Sequence, residues 1–249
     1  MQRLSLPALT ALALATMLSA CGDADMGTVS LQLSTRPADP MTSVQNAAAG
    51  QLLISLGGDE IVIDRIQVVL RKLRLDGSPT ASCAEDADED GGCGAVRLGP
   101  VMFDLPLDEG ADPAFTAAVP VGTYDRLTFQ IHKPSNANED ADLVEQFPEL
   151  ANTSIRVTGT YNGTPFTYAT DLTEVENVAL AQPLEVGADA EVPLTLHIDA
   201  ATWFVDEAGT GLVDPAQANN GMAYESLVEQ HIRTSFRAFH DGDADGAAD

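Results

Sequence analysis

The sequence predicts an all-β fold, an antiparallel sandwich with a C-terminal helix packed on it. Three observations lead there. Short runs of alternating apolar and polar residues recur between turn residues, about eight in all. One pair of runs is joined by Asn162-Gly163, which suits both positive-φ positions of a two-residue hairpin turn. Near the C-terminus the apolar period lengthens. Tyr224, Leu227, Val228, His231, Ile232, Ser235, Phe236 and Phe239 fall on one helical face.

Taken in order, Val29, Leu31 and Leu33 alternate as a first strand, and 36–50 reads as a loop. Residues 51–56 make a short strand. Ile61–Leu75 fits a helix or a strand, and its β-branched first half favours the strand. Ile66, Val68 and Leu70 alternate in one phase, Leu73 and Leu75 in the other, so a bulge is expected near Arg71. Arg65, Arg71, Lys72 and Arg74 make this the one basic stretch, expected as counter-charge to an acidic surface. Val101–Leu107, Phe115–Val119 and Leu127–Ile131 follow as strands, with a turn at Pro120-Val-Gly122-Thr-Tyr124. Leu143–Leu150 suggests a short helical turn. The hairpin register places Gly159 opposite Phe166 and Val157 opposite Tyr168. Residues 178–186 give two short strands or one broken one. Val192–Ile198 is the last strong alternation, with Pro193 marking an edge or a strand start. Asp214-Pro215, with Gln217, reads as an N-cap and first helical residue. Trp203 and Phe204 are expected in packing rather than as a sugar-stacking platform.

Composition sets limits. The chain has 249 residues with 45% hydrophobic content, enough for a core. Its formal net charge is −26, and Lys72 and Lys133 are the only lysines. Such a field repels nucleic acid and anionic headgroups, and no nucleic-acid partner is expected. The first segment carries Arg3, an apolar run over Leu4–Met17, and Leu18-Ser19-Ala20-Cys21. An apolar run this short is a signal segment rather than a spanning helix.

Leu18-Ser19-Ala20-Cys21 resembles the lipobox of bacterial lipoprotein precursors. That resemblance implies lipidation of Cys21, removal of residues 1–20, and a membrane partner held through the lipid. Two or more acyl chains anchor stably where one does so marginally. Gly22 is not the aspartate associated with inner-membrane retention, so an outer-membrane envelope location is favoured, on the periplasmic face or the cell surface. With Cys21 lipidated, Cys83 and Cys93 remain as an even pair in an exported chain and read as a disulfide. Closing that loop would contribute roughly 2.5–3 kcal/mol in the chain-entropy model. The expected organisation is a signal (1–20), a tether (21–26), a β-sandwich (27–205), a helical segment (212–240) and an acidic tail (241–249).

That tail, Asp241-Gly-Asp243-Ala-Asp245-Gly246-Ala247-Ala-Asp249, is similar to calcium loops of the dockerin, EF-hand and thrombospondin type-3 kinds. The resemblance implies Asp241, Asp243, Asp245, the Ala247 carbonyl and Asp249 as Ca²⁺ ligands. The bidentate glutamate at position 12 is missing, so weak affinity is expected, about 10⁻⁴–10⁻³ M. The plainer alternative is a frayed acidic tail. A second such run, Asp86-Ala-Asp88-Glu-Asp90-Gly91, would place Arg97 at position 12 and reads as a solvated acidic loop. The histidines show no zinc spacing, with His132 and His197 expected on outward strand faces and His231 on the inner face of the helix. No catalytic set is identified.

The lipobox, Gly27–Leu33, Ile61–Leu75 and Pro120–Ile131 together resemble an uncharacterised bacterial lipoprotein family with a domain of unassigned function. Turns of the Pro-x-Gly-x-Tyr type also recur in transthyretin-like and carboxypeptidase-regulatory-like sandwiches. The expected fold is therefore an Ig-like or transthyretin-like sandwich. The expected function is a non-enzymatic binding or structural module of the envelope, with an envelope protein or glycan as partner. The alternatives are a calcium-dependent carbohydrate-binding or adhesion module and a glycan-active enzyme.

Overall fold

A single long strand organises the sheet. In the computed structural model, which describes residues 25–35, 43–46, 50–79, 99–135 and 139–249, β4 runs from Asp59 to Pro79. Its first half pairs on one edge with β3 (Leu52–Leu56) and on the other with β8 (Ile155–Tyr161). Its middle pairs with β5 (Val101–Asp104), and its second half with β7 (Gly122–Ile131). β8 gives way to β7 between Val68 and Leu70, just ahead of the expected bulge. The β4–β7 register shifts between Arg71 and Arg74, and Lys72 takes φ 55°. The extra residue resets the phase, so Leu70, Leu73 and Leu75 are all buried.

The remaining strands are β1 (Met26–Ser34), β2 (Ser43–Asn46), β6 (Asp112–Pro120), β9 (Thr164–Thr170), β10 (Glu174–Val186), β11 (Glu191–Ile198) and β12 (Phe236–Phe239). The main path is β2-β3-β4-β7-β10-β12-β11-β1-β6. It curls, so that Leu31 and Leu196 from one limb share a core with Ile66, Leu70 and Leu127 from the other. Phe129 of β7 meets Phe236 of β12 edge-on at 5.1 Å, and Phe103 meets Phe115 at 6.4 Å.

The fold is all-β, but the sheet is mixed rather than purely antiparallel. β1 pairs with β11 in parallel, and β10 pairs with β12 in parallel. Alternation specifies which face of a strand is buried, not its partner or direction, so sequence could not assign these pairings. β2 also lies within the stretch expected as loop. Residues 174–186 form one broken strand, with a register shift between Ala179 and Leu184.

The β8–β9 hairpin has the expected register, with Asn162 at φ 49° and Gly163 at φ 76°. Gly159 serves a second purpose: a Cβ there would fall on the Val62 carbonyl oxygen, where β4 bulges between Ile63 and Arg65. Three of the four residues of the basic stretch find acidic partners within the chain. Arg65 pairs with Asp104, Arg71 with Glu139 and Arg74 with Asp76.

Helix α1 (Ala141–Gln146) and a 3₁₀ turn at Pro148–Leu150 fill the expected helical region. Asp214 caps a 3₁₀ turn over Pro215–Ala218 by accepting from Ala216 N at 2.9 Å. Helix α2 (Glu225–Thr234) buries Val228 and Ile232. It stops sooner than the apolar stripe suggests. Ser235 is the C-cap, and Phe236–Phe239 becomes β12, filling the gap between β10 and β11. Phe236 and Phe239 satisfy helical spacing from Ile232, but sheet pairing decides their state. Tyr224 lies at the helix N-cap and is exposed. Trp203 and Phe204 are fully buried, with Trp203 Nε1 donating to Ser235 Oγ at 3.0 Å.

Candidate functional site

Three of the residues singled out from sequence, Cys21, Cys83 and Cys93, lie outside the described residues. So does the second acidic run, 86–91, together with Arg97. The C-terminal tail is described, and it is folded rather than frayed.

The tail packs on the outer face of β1 and β11. Asp241 is wholly buried. Its Oδ2 accepts from Thr195 Oγ1 at 3.1 Å and from Gly246 N at 3.0 Å, and its Oδ1 accepts from Asp245 N at 3.2 Å. Asp249 Oδ2 accepts from Gly242 N at 2.7 Å and lies 2.8 Å from His240 Nδ1. Ala111 N donates to Ala244 O, tying the tail to the loop before β6. Asp241, Asp243 and Asp249 each bring a carboxylate oxygen within 4.8 Å of the others. Asp245 is not in that group; its Oδ1 accepts from Ala247 N at 2.8 Å. Three of the four expected aspartates therefore converge. Oxygen ligands of this kind suit a hard cation such as Ca²⁺, with water completing the six to eight positions it takes.

A second cluster, His132, Glu139 and Asp140, is already paired within the protein. His132 Nε2 lies 2.7 Å from Asp140 Oδ1, and Glu139 binds Arg71. Burial alone would raise the Asp140 carboxyl. The Ser135 N–H and His132 outweigh it and hold the carboxyl below its usual range. His132 is buried, not outward as its strand phase suggests.

His197 departs from expectation in the same way and has more to offer. It is 2% exposed. Leu194, Leu196 and Ile198 point to the core, as alternation requires, while Thr195 and His197 point to a face that distant segments cover. The His197 and Phe239 rings lie 6.3 Å apart, and His197 Nδ1 lies 3.4 Å from Ser34 Oγ. Its Nε2 has no hydrogen-bond partner among the described residues. Burial, with Arg237 beside it, lowers the imidazole to about 4, so the ring is neutral at pH 7.

His197 lines a cavity of ≈ 550 Å³. The end of β11, the loop 205–209, the last turn of α2 and the start of β12 form its walls. Most polar groups there are committed to the protein. Ser235 Oγ donates to Ile232 O at 2.7 Å, and Thr202 Oγ1 donates to Asp199 O at 2.8 Å. Arg237 Nη1 donates to the Thr234 and Phe236 carbonyls. Asp206 accepts from Thr210 N, whose N–H holds the carboxyl low. His231 Nδ1 lies 3.2 Å from Trp203 O. The sequence reading missed this cavity. The available signal was the Phe236-Arg-Ala-Phe239 alternation directly after α2, which announces a strand able to cover β11.

The chain matches no protein-family model, no curated protein and no solved structure. Among the described residues, no helix is long and apolar enough to cross a membrane.

Proposed function

We propose that the protein is a lipid-anchored module of the bacterial cell envelope, one that binds or scaffolds rather than catalyses. The observation that carries this reading is the position of β1, which opens at Met26, so that only residues 22–25 separate it from Cys21. Even fully extended, at about 3.3–3.6 Å per residue, a link of that length keeps the domain close to the bilayer surface. The outer membrane is favoured because Gly22 follows the cysteine. Metabolic palmitate labelling tests the anchor. Label is expected on the wild-type chain and absent from Cys21→Ser; an unlabelled wild type sinks the reading.

At the level of fold, the proposal is that the curled sheet is a distorted Ig-like or transthyretin-like sandwich. Tyr124 supports this, because its buried hydroxyl donates to Pro120 O, four residues upstream, at 2.6 Å. Back-bonding of this kind is a habit of sandwich corners.

A second reading, a calcium-dependent adhesion or carbohydrate-binding module, is favoured by the convergence of Asp241, Asp243 and Asp249. Calorimetry with Ca²⁺ on the full chain and on Asp243→Asn tests it. Heat is expected from the wild type with weakened binding in the variant; no heat from the wild type ends it.

A further inference from the structure

We propose that the outer edge of β6 is a docking edge, and that it takes an extended peptide strand of another protein, apolar at alternate residues and basic at both ends. The inference rests on the binding-module reading and names its partner class.

The backbone comes first. β6 ends the sheet path and pairs only with β1. Successive residues of a strand turn their N–H and C=O groups to opposite edges. Thr28 N donates to Ala190 O at 2.7 Å, so Thr28 turns toward β11. Gly27, Val29 and Leu31 then turn toward β6, where they meet Val119, Ala117 and Phe115. Thr116 and Ala118 lie between those three and aim their N–H and C=O groups away from the sheet, and both residues are exposed. Pro113 and Pro120, with no N–H to offer, bound this edge and limit it to a short strand. The edge of β9 is treated differently. There Asn219 stands in for a neighbouring strand, its Oδ1 accepting from Ala169 N at 2.8 Å and its Nδ2 donating to Thr167 O at 3.2 Å. Among the described residues, nothing does this for Thr116 or Ala118. Unpaired N–H and C=O groups in a row are a template for one more strand.

The flanking side chains then select the pattern of that strand. Directly opposed residues of an antiparallel pair share a face. A strand added antiparallel to β6 would set side chains beside Phe115 and Ala117, which pack on the core but are only half-buried. Apolar side chains at those positions would complete their burial, and the positions opposite Thr116 and Ala118 would face water. Charge selects the owner of the strand. Pro113 to Pro120 carries no charge, but exposed aspartates stand at both ends. Asp112 opens the strand, and Asp25 lies beside its far end, where Asp25 O accepts from Val121 N at 2.9 Å. A second copy of the chain would bring a net charge of −26 against −26. A strand with lysine or arginine at each end meets opposite charge at both.

The test is amide exchange followed by NMR on the ¹⁵N-labelled full-length protein, with the peptide Lys-Lys-Val-Thr-Val-Thr-Val-Lys-Lys as probe. The Thr116 and Ala118 amides should exchange fast in the free protein and slow saturably as peptide is added. The same core flanked by glutamates should bind about tenfold more weakly. The lysine-flanked peptide methylated on both threonine nitrogens loses the N–H groups that the Thr116 and Ala118 carbonyls would accept, and it should protect neither amide. That arm leaves the protein unchanged. Ala118→Pro removes one outward N–H at an edge position where proline is tolerated, and should weaken the peptide about fivefold. No protection of either amide by millimolar peptide overturns the inference. So does equal binding of the glutamate-flanked or the methylated peptide. So does slow exchange of both amides in the free protein, whether the chain covers its own edge or sedimentation shows a second copy there. Palmitate labelling separates the two claims. A peptide-binding protein without label refutes the anchor and keeps the docking edge; a labelled protein whose amides no peptide protects refutes the docking edge and keeps the anchor.

Discussion

Replacing His197 by Phe should make the protein less sensitive to mild acid. The imidazole is held at about 4 in the folded chain, against an ordinary value of 6.5. Between those values the unfolded chain binds a proton that the folded chain refuses, so stability falls as pH drops through this window. Linkage puts the loss from this one group at about 2 kcal/mol at pH 5 and about 3 kcal/mol at pH 4, with almost none at pH 7. Other titrating groups are common to wild type and variant, so they cancel in the difference. At pH 7 the two proteins should differ little, since Phe removes a buried nitrogen that lacks a partner and keeps the ring's contact with Phe239. Urea unfolding at pH 7, 6, 5 and 4 measures it. The variant's advantage should grow by about 2 kcal/mol from pH 7 to pH 5. An advantage that stays constant with pH would show that His197 is solvated and protonates normally in the folded state, and the account of its burial would fail.

Three other perturbations follow from the same structure. Gly159→Ala places a methyl on the Val62 carbonyl oxygen, and the contacting atoms are backbone that cannot turn aside. It should cost about 3 kcal/mol, at the upper end for overpacking, and lower Tm by about 6–12 °C; a Tm within 2 °C of wild type would refute the close approach. Asp241→Ala removes an acceptor from Thr195 Oγ1, Asp245 N and Gly246 N, and the first two keep Gln32 Oε1 and Asp243 Oδ1 in reach. It should cost about 2 kcal/mol or more, with faster amide exchange at Gly246; an unchanged exchange rate would mean the tail is not held by that carboxylate. Asp140, held below its ordinary 3.8, stabilises the fold above that pH, and its contribution disappears as pH falls through the lowered value. The stability gap between wild type and Asp140→Asn should therefore close in strong acid, as read by denaturant unfolding across pH 2 to 6.

What the sequence made legible was local. The phase change between Leu70 and Leu73 located the β4 bulge, because burial on both sides of a shift requires an extra residue. Asn162-Gly163 located a turn that needs two positive φ values, and Asp214-Pro215 located a cap. What it hid was long-range. β1 and β11 lie far apart in the chain, and nothing in either strand states that they run parallel. His132 and His197 occupy strand phases that read as wet. Asp140 covers the first, and Ser34 with Phe239 covers the second. Spacing was nearly enough for the acidic cluster, since alternation brings Asp241, Asp243 and Asp249 together. It could not show that Asp245 spends an oxygen on Ala247 N.

The tail thus answers to two demands that are compatible. As structure, it closes a polar face of the sheet. Gly246 sits at φ 82° with room for no side chain, since a Cβ would lie 2.8 Å from Ser34 Oγ, and Asp241 caps the turn above Thr195. This alone accounts for the buried Asp241, the glycine and the spacing between them, with no ion required. As a ligand set, the same carboxylates retain capacity. An ionised carboxylate offers about four lone-pair sites, and three of those on Asp241 accept bonds from the protein. The N–H donors that fold the turn also offset part of the repulsion between Asp241, Asp243 and Asp249. A cation placed there would therefore meet a group already partly neutralised and partly committed, and its affinity would be lowered by that commitment.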